Sequence, residues 1–145
     1  GSDKFRYKLA WLKRLRAELN ACSTPSNDLL VCGDMNIAPS DDDTWDPFEA
    51  DGNILFHPQE HRALKNVLKW GLTDVYRHHY PTTRAFTWWD YRGGGFQRNH
   101  GFRIDHIFVT ASLLHRCTSV RIDQELRGWE QPSDHVPVVV NIAQR

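Results

Sequence analysis

The stretch Leu29-Leu30-Val31-Cys32 runs directly into Gly33-Asp34-Met35-Asn36. A short continuous apolar run of this kind reads as a strand buried on both faces, as in α/β proteins. The aspartate and asparagine then stand at its carboxyl edge. Upstream, Ser23-Thr24-Pro25-Ser26-Asn27 is turn chemistry, and before it Phe5, Leu9, Leu12, Leu15 and Leu19 recur at spacings of three and four. That spacing predicts an amphipathic helix ending near Asn20, with Lys8, Lys13, Arg14 and Arg16 outside its apolar face.

Downstream, residues 37–57 are acidic and broken by Pro39, Pro47 and Gly52, which predicts a long loop with little regular structure. Pro58 suits the first position of a second helix, Ala63, Leu64, Val67 and Leu68 give it an apolar face, and Gly71 can take a left-handed cap. Runs at 86–89, 104–109, 119–122 and 136–142 are rich in β-branched and aromatic residues and read as strands. Arg92-Gly93-Gly94-Gly95 reads as a flexible tip between the first two. No repeat or low-complexity tract interrupts the chain, so the expectation is one α/β unit with a late antiparallel section.

Composition agrees with one globular domain: 145 residues with 18 basic and 18 acidic side chains, and a mean hydropathy of −0.59. No apolar run reaches the roughly 18 residues that a membrane span needs, so no membrane partner is expected. Cys22, Cys32 and Cys117 cannot all pair and show no C-x-x-C spacing, which points to a reducing, cytoplasmic setting. Gly1-Ser2 resembles the scar of a removed tag, leaving residues 3–145 as the domain. The start lacks an initiator methionine, so a fragment of something longer is expected.

The zero net charge conceals an uneven distribution. Lys4 to Arg16 holds six basic residues and no acid, whereas Asp41 to Asp51 holds six acids and no base. The Asp41-Asp42-Asp43 run is expected to be solvated. Between Tyr76 and Arg103, five arginines stand against the single Asp90, with histidines and aromatics interleaved. Such a strip can follow a phosphate backbone while its rings stack; a solvated loop with its rings in the core is the competing reading.

Three polar groups stand at predicted strand edges: Gly33-Asp34-Met35-Asn36, Arg103-Ile104-Asp105 and Ser133-Asp134-His135. Converging carboxylates and a histidine suit metal-assisted phosphodiester hydrolysis: oxygen ligands hold a hard cation, a base activates water, and a donor steadies phosphoryl charge. Each motif alone also reads as a turn, a cap or a polar edge. Asp105 is the more telling, because it adjoins Ile104, Ile107, Phe108 and Val109, where an unpaired carboxylate would be costly. A histidine partner would relieve it.

Together, and in this order, Gly-Asp-x-Asn, the segment Phe86 to Arg92, Asn99-x-Gly101-x-Arg103-Ile104-Asp105 and Ser133-Asp134-His135-x-Pro137 resemble the exodeoxyribonuclease III family of DNA-repair nucleases, within the endonuclease/exonuclease/phosphatase superfamily. The resemblance implies the C-terminal half of a DNase I-like four-layer α/β sandwich, with one mixed β-sheet and helices on one face. It implies catalytic roles for Asp34, which activates water, Asn36, which holds the nucleophile and phosphate, and His135 with its carboxylate partner Asp105. It implies a metal site, for Mg²⁺ with Mn²⁺ as the alternative ion, at Asp134, Asp34 and Asn36. It implies DNA contacts from Trp88, Trp89, Tyr91, Arg92, Arg98 and Arg103, the tryptophans lining a pocket for a flipped abasic sugar. Trp11, Trp45, Trp70 and Trp129 are left as packing residues.

The implied activity is Mg-dependent incision of duplex DNA at abasic sites and 3′ to 5′ removal of nucleotides from 3′ ends. In that family another half supplies the principal metal glutamate. This chain alone is therefore expected to be inactive, with the missing N-terminal half as its natural partner. One alternative is a non-catalytic half-domain that forms a homodimer through an open apolar sheet face bearing Val31, Ile107, Val109, Val138 and Val140. Another is a phosphatase relative, since other superfamily members share Gly-Asp-x-Asn and Ser-Asp-His.

Overall fold

The computed structural model describes residues 3–144, so Gly1 and Ser2 lie outside the described residues. The first helix, α1 (Asp3–Cys22), buries Leu12 and Leu19 on the predicted stripe. Strand β1 (Leu30–Asp34) follows the Pro25 turn, but it is an edge strand exposed along most of its length rather than one buried on both faces. The acidic segment is more ordered than expected: a 3₁₀ turn spans Asp41–Asp43, and a four-residue helix α2 (Pro47–Ala50) is capped by the Asp46 carboxylate, which accepts from the Phe48 and Glu49 amides. Local side-chain acceptors thus organise a stretch that lacks hydrophobic periodicity.

Helix α3 (Pro58–Leu68) starts at the predicted proline. Its entry is fixed reciprocally, with the His57 ring nitrogen accepting from Gln59 N at 3.1 Å and a Glu60 oxygen accepting from His57 N at 3.2 Å. Gly71 has φ +129°, and a Cβ there would lie 2.7 Å from Pro25 Cβ. Leu64 and Val67 of α3 meet Leu12 and Leu19 of α1 in one core, together with Met35, Ile37, Trp70, Leu72 and Phe108.

The remaining elements are β2 (Leu72–Asp74), α4 (Val75–His79), β3 (Trp88–Trp89), β4 (Gly101–Phe102), β5 (Asp105–Thr110), α5 (Ala111–Leu114), β6 (Cys117–Ile122) and β7 (Val138–Ile142). The expected α/β composition holds, but the strands form three ladders, β1-β5-β2, β3-β4 and β6-β7, and every pairing is antiparallel. One mixed sheet is therefore not what these strands make. Pro132 and Pro137 carry no amide hydrogen for a ladder, and the chain between β6 and β7 turns through a 3₁₀ segment at Gln124–Gly128.

Strand β5 is central. Its Phe108 faces the core under α1 and α3, while Ile107 and Val109 pack with Val75, Tyr76, Leu113, Cys117 and Val120. Val138 and Val140 lie against that second core, and Val31 against the first. The open apolar face expected at these positions is thus largely covered from within the chain. No helix among the described residues is long and apolar enough to cross a membrane.

Candidate active site

The register of β1 on β5 places Asp34 directly opposite Asp105, at the end of the ladder. Like charges facing each other across a strand pair are unfavourable, so the pair survives only with compensation. Part of it comes from Asn36, which adopts a left-handed φ of +52°, a conformation asparagine tolerates better than most residues. Its backbone amide donates to one Asp34 oxygen at 2.8 Å and its side-chain amide to the other at 2.9 Å. Even so, the Asp34 carboxyl is held above its ordinary range, first by burial and further by Asp105, against the lowering pull of Asn36 and His135.

Asp105 is itself anchored by Thr87, whose hydroxyl oxygen accepts from the Ile104 and Asp105 amides at 3.0 and 3.1 Å. Its carboxylate lies 2.9 Å from His135 Nδ1. An ionised Asp105 only accepts, so this contact assigns the proton to Nδ1 and turns Nε2 toward Asp34, 4.0 Å away. The segment carrying His135 is strapped to β3: Trp89 N donates to Asp134 O at 3.0 Å and Val136 N to Thr87 O at 2.8 Å. Asp34, Asp105 and His135 thus form a line at an accessible rim, with one ligand atom from each within 4.8 Å of the others.

The four residues expected to be catalytic therefore converge. Asp134 lies beside them in sequence but is not in that ligand group; its Oδ2 accepts from Trp88 Nε1 at 2.9 Å. Trp88 is half-buried, and it packs with Phe102 against the cluster formed by Ala38, Ala50, Phe56 and Ile104.

The expected DNA strip needs correction at two positions. Trp89 is fully buried, edge-on to Phe86 and Phe96, with its indole N–H on Asn99 Oδ1 at 3.1 Å. It is a core ring. Arg103 is 1% exposed and bonds Asp43 at 2.6 Å and Asp74 at 3.1 and 2.7 Å. That guanidinium is consumed by the buried Asp43 carboxylate and the half-buried Asp74 carboxylate, so Asp43 is not a solvated acid either. Tyr91, Arg92 and Arg98 are exposed, although Arg92 clasps Asp90 and the Tyr91 hydroxyl donates to Pro132 O at 2.7 Å.

Sequence reasoning missed Lys8 and Glu60. Lys8 Nζ donates to Asn36 O at 2.8 Å and is ion-paired with the buried Glu60, tying α1 and α3 to the Asp34 turn. Glu60 was detectable as the third residue after a helix cap, where a carboxylate reaches back to the cap amide. Nothing in the pattern singles out Lys8 among the basic residues of α1.

The pattern that defines the Endonuclease/Exonuclease/phosphatase family matches residues 1–135. The chain is 38% identical over 142 residues to an exodeoxyribonuclease III of Haemophilus influenzae, covering 93% of this chain and 53% of that protein. It is 32% identical over 145 residues to an exodeoxyribonuclease of Bacillus subtilis, covering 98% and 56%. The chain thus spans about half the length of these curated relatives. Among solved structures, an AP endonuclease from Archaeoglobus fulgidus superposes with a TM-score of 0.91 at 38% identity, over 97% of this chain and 55% of that one. A 3′ phosphatase from Neisseria bound to product DNA hairpin also superposes at 0.91 and 38% identity, over 99% and 56%.

Proposed function

Because the chain belongs to the endonuclease/exonuclease/phosphatase family, we propose that it supplies the acid-base half of a DNA-repair nuclease that hydrolyses phosphodiesters at abasic sites and 3′ ends. The observation that carries this reading is the line Asp105–His135–Asp34, joined at 2.9 Å and set 4.0 Å apart, with the Asn36 amide on Asp34.

In the proposed reaction a water oxygen bonds to phosphorus while its proton passes to the Asp34 carboxylate. The bond from phosphorus to the departing 3′ oxygen breaks, and that oxygen takes a proton from solvent. A carboxyl raised above its usual range is a better proton acceptor than an ordinary one. Asp105 fixes the His135 ring, and as imidazolium its Nε2–H donates to a phosphoryl oxygen, where charge accumulates. Asn36 aligns Asp34 and offers its amide to water or phosphate.

The donor set fits a hard divalent cation only in part. Magnesium is held by one or two carboxylates with water and substrate phosphate completing its shell. Asp34, with Asp134 nearby, would hold such an ion on this chain, since Asp105 and His135 already satisfy each other. The ion would neutralise phosphoryl charge. Further carboxylates from outside this chain would complete its site, so we propose that the chain alone incises abasic duplex negligibly. Its three cysteines are unpaired, in keeping with a reducing cytoplasm.

The test measures cleavage of an abasic duplex and removal of a 3′ phosphate by the longest natural polypeptide that contains this chain, with magnesium. Asp34→Asn should reduce both by at least about a hundredfold; unchanged turnover would remove the proposal. Robust incision by the purified 145-residue chain would refute its dependence on further residues, and light scattering at a dimer mass would favour the self-paired half-domain instead.

A further inference from the structure

Trp129 does not behave as a packing residue. It is 67% exposed, an unusual position for the largest side chain. It stands on the 3₁₀ connection between β6 and β7, and it shares a cavity of about 540 Å³ with Leu126, Pro132, Pro137 and His135. That volume lies in the range of small-ligand clefts, and one wall is the histidine of the candidate active site.

The connection is held firmly. The guanidinium of Arg127 lies 4.8 Å from the centre of the Tyr91 ring and 5.4 Å from that of Phe96. It also donates to Trp89 O at 3.3 Å, and Tyr91 in turn bonds Pro132 O. Arg127 itself is buried. The indole of Trp129 is therefore offered to solvent from an anchored support.

The chemistry of the lining selects the occupant. Among the described residues no lysine or arginine borders the cavity, and Glu130 does, so away from His135 a phosphate would meet repulsion there. Flat apolar surfaces from Trp129, Leu126 and two prolines, with polar edges at Glu130, Gln131 and Ser133, suit an uncharged aromatic heterocycle. A phosphodiester whose phosphoryl oxygen meets His135 brings its own flanking nucleotides to the cavity mouth.

We infer that Trp129 stacks on a nucleobase of the substrate strand next to the scissile phosphate, so that this cavity reads whether that neighbouring base is present. The inference rests on the nuclease reading above and adds a base-binding position to it. Stacking on an aromatic side chain tolerates every base, because each has a π-face. The contact therefore contributes affinity without sequence preference.

The experiment uses the longest natural polypeptide containing this chain and duplexes with 2-aminopurine scanned through the positions flanking the abasic site. Trp129→Ala should raise KM about tenfold, with the loss on KM rather than kcat, and abolish the quenching of 2-aminopurine at one position. Trp129→Phe should recover most of both. A duplex lacking the base at that position should be cut alike by the wild type and Trp129→Ala. Equal KM for the two proteins on every duplex, with the wild type active, would overturn the stack alone; a wild type that neither binds nor cuts would overturn the nuclease reading with it. Acrylamide quenching, compared between the wild type and Trp129→Phe without DNA, supplies a further check. A Trp129 already shielded would show the cavity filled by protein and would overturn the inference.

Discussion

At the scale of single residues, a cation braces the turn that carries Asp34. Lys8 pairs with Glu60, which is wholly buried, and holds the Asn36 carbonyl. Removing one partner of a buried pair strands the other charge and costs about 3 kcal/mol or more, whereas removing both is far milder. Lys8→Met should therefore lower stability by about 3 kcal/mol in urea unfolding, and adding Glu60→Gln should restore most of it. A double variant no more stable than Lys8→Met would show that the pair is not coupled. Asp34, Asn36, Asp105 and His135 were legible because polar groups at the ends of apolar runs need a reason to be there. Arg103 was misread for the opposite reason: its carboxylate partners, Asp43 and Asp74, lie 60 and 29 positions away along the chain, and no local pattern announces them. Asp105→Asn leaves the β5 backbone in place but takes the ionised acceptor from His135 Nδ1, so cleavage by the longest natural polypeptide that contains this chain should fall by about a hundredfold or more. A loss of less than fivefold would detach Asp105 from the chemistry.

At the scale of elements, α1 and α3 could be read from periodicity and β1 from its apolar run, but the strap across the site could not. Trp88 and Trp89 pair with Phe102 and Gly101 as a two-residue ladder, too short for any period to register. The predicted strand at 86–89 begins late because Phe86 and Thr87 serve other ends, Phe86 as a core ring and Thr87 as the anchor of Asp105. Likewise β2 and α4 share the single residue boundary at Asp74, whose carboxylate accepts from the Arg77 amide at 3.2 Å. The strap tolerates no side chain at Gly101, where a Cβ would lie 2.6 Å from both Phe86 Cδ2 and Trp89 Nε1. Gly101→Ala must push two core rings apart, at a cost of about 1–3 kcal/mol. Because the same strap carries Asp134 and Val136, the variant, placed in the longest natural polypeptide that contains this chain, should also lose cleavage beyond what its melting temperature explains. Full activity in the folded fraction would separate the strap from the site.

Across the whole molecule, the network around Arg103 couples the acidic turn, β2 and β5, and it makes stability depend on pH with a definite sign. His106 is buried beside Arg103, its Nε2 lying 2.8 Å from Ile37 O and its Nδ1 3.1 Å from the guanidinium. A ring that accepts from an arginine at Nδ1 carries its proton on Nε2 and is neutral. Burial first, and then Arg103, lower its pKa to about 4. The unfolded chain protonates His106 near pH 6.5 and the folded one only near 4, so between those values the unfolded state binds the extra proton. Stability is therefore complete above about pH 6.5 and declines as pH falls toward 4, by about 1.4 kcal/mol per pH unit at the steepest. Asp43 and Asp74 are held below the usual carboxylate range: burial opposes ionisation, but Arg103 more than offsets it. Their contribution has the same sign but is lost only at more acidic pH, below the ordinary carboxylate pKa. Urea midpoints measured from pH 7 to 4.5 should fall for the wild type more steeply than for His106→Gln, which has no proton to gain, and the two curves should converge toward acid. Parallel curves would mean that His106 does not stay neutral in the fold, and the network would then have to be rebuilt with a charged ring at its centre.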